Sequence, residues 1–233
     1  MKRNSTIALV LVAGAVAVAL AVWAVKYFTA DADTERAMAT YRAQPLVGLV
    51  LADNPAVEAE LRGAIEQDQS HPQPGQSRVF DTIAKLRQTV IAPTVAAADT
   101  ASALAVMKAR VGLVGYLQKH DLVACRQFAA AGIQDISKLD DEGQRLFRAT
   151  LAAMEAAYRN GKANGGKGSL PTAEEFRAML QTAGFTDDDF AKLRDAAALK
   201  DADLCALELR IDEAPDKLPD DKRGPFARFV IAH

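Results

Sequence analysis

The sequence predicts an all-α protein, with an N-terminal transmembrane helix followed by a multi-helix extracytoplasmic domain. Three observations predict it. Ile7 to Val25 is an unbroken apolar run, IALVLVAGAVAVALAVWAV. Beyond Asp31 nearly every apolar pattern repeats with the spacing of a helix face. Alternating β-branched runs closed by tight turns, the mark of strands, are almost absent. Half of the 233 residues are hydrophobic and a quarter are charged. That composition excludes wholesale disorder and collagen-like repeats.

At 1.5 Å per residue the apolar run reaches about 28 Å, close to the ~30 Å hydrocarbon core of a bilayer. It has no polar face, which a buried helix of a soluble domain would show. Lys2 and Arg3 precede it, and Trp23, Lys26 and Tyr27 stand at its far end as interfacial anchors. The run is longer than the apolar part of a cleaved signal peptide. Bulky Trp23, Tyr27 and Phe28 crowd its exit, and Thr29–Ala32 offers only a poor cleavage site. The expectation is a retained signal anchor over residues 7–28, held in membrane lipid. Residues 1–6 then form a short cytoplasmic tail, and the chain is a single-pass inner-membrane protein with its body in the periplasm. Ala13, Ala17 and Ala21 form a small-residue stripe of the kind that lets two helices approach as a homo-oligomer. In a helix so rich in alanine, such a stripe also arises by chance.

The body is expected to comprise residues 29–159 as a helical domain, 160–171 as a glycine-rich linker, and 172–233 as a C-terminal helical subdomain with a proline-rich tail. The first helix covers about Thr34–Arg42. Asn54-Pro55 supplies an N-cap and a proline at the first helical position, opening a helix to about Gln67 with Val57, Leu61 and Ile65 on one stripe. Ser70–Gly75 is a loop by composition. A helix over about Ser77–Ile91 buries Val79, Ile83, Leu86 and Val90, and Pro93 stops or kinks it. An alanine-rich helix follows to about Lys119, with Leu104, Met107, Val111 and Val114 on one face.

Asp121 caps a short helix to about Ala131, and Gly132 closes it with Ile133 against Phe128 in a Schellman ending. The helix over about Asp141–Arg159 carries Phe147, Leu151, Met154 and Tyr158, and Asn160-Gly161 ends it. Thr172-Ala-Glu-Glu175 is a capping box. Gly184 and Phe185 make a second Schellman ending, packed on Leu180. Thr186 caps the next helix, and Asp187–Asp189 lie on the positive end of its dipole. Asp201 caps about Ala202–Glu213. Pro215, Pro219 and Pro225 make the tail irregular, with Phe226, Phe229, Val230 and Ile231 folding back onto the core.

Motifs for catalysis or cofactor binding fail on inspection. Gly161–Lys167 resembles a phosphate-binding loop, but Gly168 stands where a hydroxyl must hold magnesium, and a helix precedes it in place of a strand. Counted from Asp187 as a calcium loop, the sixth position is Lys192 and the twelfth Ala198, where Gly and Glu are required. His71, His120 and His233 are far apart, and His120 and Cys125 are separated by the break at Asp121. No catalytic residue, metal ligand or cofactor is therefore predicted. Three of the 28 basic residues lie in the first 30, leaving 25 against all 30 acids in the body. No basic block interrupts that acidic body, so no nucleic-acid partner is predicted.

Cys125 and Cys205, the only cysteines, are the informative pair. Export would place them in an oxidising compartment. Each sits among apolar neighbours, Leu122, Val123 and Phe128 for one, Leu204 and Leu207 for the other. Both sulfurs should lie in the core, where a disulfide is the expectation and two buried free thiols the alternative. The function expected is a membrane-anchored interaction or scaffold protein of the bacterial cell envelope with an unknown protein partner. A ligand-binding or sensory helical domain, and a carboxylate-dependent envelope hydrolase, are the alternatives.

Overall fold

The computed structural model describes residues 31–71, 77–130, 133, 136–165 and 170–232. The expected anchor over 7–28 and tail over 1–6 lie outside them, as does the ending at Gly132. Every regular element among the described residues is helical, with no strand. No described helix is long and apolar enough to cross a membrane. Two compact units are present, one ending at Ile83 and the other beginning at Ala84.

The first unit contains helix α1 (31–42), α2 (Pro45–Asp53), α3 (Pro55–Ser70) and the start of α4 (Arg78–Leu86). Met38, Leu51, Leu61 and Ile65 form its core, with Val57, Val79 and Ile83 against them. Helix α2 has no polar face and no strong cap, so its sequence carries no helical period to read. Pro45 starts it. Gly48 lets it lie against the end of α1: a Cβ there would sit 2.1 Å from the Arg42 carbonyl oxygen. Asp68, on α3, organises the start of α4 from outside it. Its carboxylate accepts the backbone N–H groups of Arg78 and Val79 at 3.0 and 3.1 Å and the Ser77 hydroxyl at 2.9 Å. Those bonds hold the Asp68 carboxyl below its usual pKa.

The second unit is built on α6 (Thr100–His120). On it pack α7 (Leu122–Ala130), α8 (Asp141–Ala163), α11 (Asp201–Glu213) and α12 (Asp220–Ala232). Val106, Leu113, Val114 and Leu117 of α6 are fully buried. Shorter helices α5 (Ala92–Ala96), α9 (Ala173–Thr182) and α10 (Asp187–Arg194) complete it.

Endings read from sequence at Pro93, at Asn160-Gly161 and in the tail differ in the structure. Pro93 does not stop its helix. Arg87–Ile91 forms a π-helical turn, in which the Ala92 N–H bonds to the Arg87 carbonyl, and the chain runs on through Pro93 into α5. The wider turn absorbs the donor that proline lacks. The break comes later, at Ala97–Asp99, where Asp99 caps α6 by accepting the Ser102 N–H at 2.7 Å. Asn160-Gly161 does not end α8, which continues to Ala163. Asn160 is fastened to Asp99, accepting its backbone N–H and donating to its carboxylate, both at 2.8 Å. Gly161 marks the crossing of α8 over α5: a Cβ there would lie 1.9 Å from the Thr94 carbonyl oxygen.

The tail is not irregular either. Ala214–Lys217 is a 3₁₀ turn, and α12 accommodates Pro225 in its interior. Burial outweighs the lost hydrogen bond, because Phe226 and Ala227 are fully enclosed and Ile231 is buried. Gly224 permits the approach to α6, since a Cβ would lie 2.2 Å from the Thr100 hydroxyl. Residues after 172 thus belong to the same compact unit as α6 and α8, with α12 lying on α5, α6 and α9.

The local readings at 172 and 184 are met. Thr172 and Glu175 form a reciprocal capping box. Gly184 has φ +91°, its N–H bonds to the Gln181 carbonyl, and the Phe185 N–H reaches the Leu180 carbonyl at 3.0 Å.

Gly161→Ala is expected to lower stability by roughly 1–3 kcal/mol, the cost of overpacking a tight contact. Gly63→Ala is the control. It lies within α3 with nothing near its missing Cβ, so alanine there should raise stability. Melting curves of the two variants check this; equal shifts would contradict it.

Candidate functional site

Three arrangements in the second unit hold chemistry-bearing side chains. The first is the cysteine pair. Asp121 starts α7, its carboxylate accepting the Ala124 N–H at 2.9 Å. That sets Cys125 on the inner face. Cys205 lies on the inner face of α11, and both residues are fully buried. The two are bridged, with Cα atoms 6.0 Å apart and 80 positions between them. Such a loop contributes about 4 kcal/mol in the chain-entropy model.

The neighbours differ from the expectation. Val123 is 62% exposed and Leu122 38% exposed. Position 123 lies about 200° from 125 around a helix, on the opposite side. Asp201 does not cap α11 by its side chain; Lys200 is the N-cap residue. The Asp201 carboxylate instead meets Arg126 at 3.1 Å, and Arg126 also donates to the Leu199 and Ala197 carbonyls at 2.7 and 2.8 Å. A covalent and a polar fastening thus sit on adjacent residues of α7.

The second arrangement is a buried charge cluster. Arg110 of α6 donates through Nε to Asp212 at 2.8 Å and through Nη2 to Glu208, while its guanidinium lies 5.1 Å from the Phe128 ring centre. The Asp212 side chain is 0% exposed, and its Oδ2 has no hydrogen-bond partner. Burial, joined by repulsion from Glu208 and Glu213, pushes the Asp212 carboxyl up to about 7 against the pull of Arg110. The acidic run nearby behaves differently. Asp189 pairs with Arg210 at 2.6 Å and closes a capping box with Thr186, both of which hold its carboxyl far below the usual range. Asp187 and Asp188 pair with Arg177 and Lys192. Among the described residues no three His, Cys, Asp or Glu side chains converge as a cation site.

The third is a groove of about 420 Å³ between α9 and α12. Its apolar lining includes Ala178, Met179, Leu218 and Pro225. At its margins are the prolines Pro171 and Pro219 and the half-exposed Leu170. Lys222 and Arg228 also line it, one helical step either side of Pro225. Glu175 is the single acid in the lining, and its carboxylate is bound to the Thr172 N–H at 2.7 Å. Sequence reasoning missed the groove and the charge cluster, since both join residues from separate helices. A smaller hollow of about 200 Å³, lined by Asp121, Val123, Gln127 and Lys138, lies beside α7.

Compared with family models, curated proteins and solved structures, the chain matches none.

Asp212 gives a pH dependence. An acid whose pKa is raised on folding binds its proton more tightly in the folded state. Its contribution is full below the unfolded carboxylate range of about 3.9, declines as pH rises, and is lost above about 7. The melting temperature is therefore expected to fall between pH 5 and pH 8, and Asp212→Asn to shrink that fall. An unchanged pH slope in the variant, followed by circular dichroism, would contradict the assignment.

Proposed function

We propose that this chain is a membrane-anchored helical interaction protein of the bacterial cell envelope, with its body on the oxidising side of the inner membrane. The observation that carries the reading is the pairing of Cys125 and Cys205. The chain's only two cysteines, 80 positions apart, meet with Cα atoms 6.0 Å apart in a dry core. Disulfides of this structural kind persist in exported proteins and are rare in the cytosol. The apolar run over 7–25 and the basic residues ahead of it support export and retention by the same segment.

Binding, not turnover, is the role. The sequence offers no nucleophile paired with a base. The titratable groups with the largest shifts, Asp189 and Asp212, are engaged with arginines inside the helical packing. The groove between α9 and α12 gives such a protein a surface on which a partner can dock.

A reporter active only outside the cytoplasm, fused after residue 232, is expected to be active, with the fusion in the membrane fraction. Activity of a cytoplasm-only reporter at the same position, or recovery of the chain as a soluble protein, would contradict the proposal.

A further inference from the structure

We propose that the groove between α9 and α12 binds a short extended segment of a partner protein that carries apolar side chains flanked by carboxylates. The inference rests on the interaction reading above and names the chemistry of its partner. The charge of the groove is the first argument. The body is acidic overall, with 25 basic against 30 acidic residues beyond position 30. The groove reverses that sign: its charged lining is Lys222, Arg228 and the single acid Glu175. Glu175 is occupied by its capping box, accepting from both the Thr172 N–H and hydroxyl, which keeps it ionised and fixed at the helix start. The Arg228 Nε is buried with no hydrogen-bond partner, and its Nη1 reaches the Thr100 hydroxyl at only 3.5 Å. An incoming carboxylate meets the exposed Lys222 ammonium, paired at 3.8 Å with the neighbouring Asp221, and the guanidinium of Arg228 beside it.

Size and lining argue for an extended segment. About 420 Å³ is in the range of small-ligand sites, room for a few side chains and too little for a packed helix. The lining combines apolar Ala178, Met179 and Pro225 with polar Thr182, Lys222 and Arg228. A peptide offers both apolar side chains and polar groups to such a lining, whereas a hydrocarbon chain would leave the polar groups unpaired. Ala178 is exposed and lines the groove, so a larger side chain there fills the groove without entering the core.

The test uses the full chain in zwitterionic lipid nanodiscs and two fluorescein-labelled peptides with a common apolar centre and a photoreactive phenylalanine. One peptide has aspartates at its flanks and the other has lysines. The acidic peptide is expected to bind at least ten-fold more tightly by anisotropy, to weaken with salt, and to crosslink within 170–182 or 218–228. Lys222→Glu should weaken it about ten-fold, and Ala178→Trp should abolish binding while leaving the melting temperature unchanged. Equal binding of the two peptides, no binding up to 1 mM, or crosslinks elsewhere would overturn the inference while leaving the membrane-anchored reading intact. Labelling of the groove by a photoactivatable anionic lipid that excludes the peptide would overturn it as well, in favour of a lipid site.

Discussion

One covalent link ties together the helices that cover α6. Cys125 on α7 and Cys205 on α11 are both buried where these helices meet, and both helices pack on α6. The bridge closes a loop that contains α8, α9 and α10. Its neighbour Arg126 adds bonds to the carbonyls leading into α11. Arg110 of α6 joins α11 a second time, through Glu208 and Asp212 on the face of α11 that carries Cys205. Helices α7, α6 and α11 are thus held by one bridge and two arginines, and the other helices of this unit pack around them.

Close backbone approach sets the rest of that arrangement. Gly161 brings α8 against α5, and Gly224 brings α12 against the start of α6. Those crossings place α12 beside α9, which creates the groove. Stacking of Phe176 on Phe226 and Phe229, with ring centres 4.9 and 4.1 Å apart, joins the two helices. Pro225 costs α12 a hydrogen bond, yet it occupies the groove wall and sits next to a completely buried phenylalanine. The same residues that make the helix imperfect shape the surface proposed to bind a partner.

The helical class, the capping box at Thr172 and the Schellman ending at Gly184 were legible because each depends on residues within one or two turns. The cysteine pair was legible as a pair because there are only two. Much of what could not be read depends on partners far away in the chain. Gly161 looks like a helix terminator until Thr94 is placed beside it. Pro93 looks like a stop until the π turn ahead of it is seen. Asp189 looks like a dipole residue, and its pairing with Arg210, 21 positions on, has no local signature. The charge cluster spans 102 positions, from Arg110 to Asp212. Helix α2 was missed for a different reason: it is apolar all round, so no period marks it.

The central claim is that the body matures in an oxidising compartment and is held by the bridge. Counting free thiols in the protein isolated from the cell envelope tests it most directly. The protein is trapped with acid, denatured without reductant, and treated with an alkylating reagent of known mass. The account predicts an intact mass without added label, and two labels after reduction. Two labels without reduction would contradict it, leaving Cys125 and Cys205 as a buried pair of thiols and removing the main support for an extracytoplasmic body.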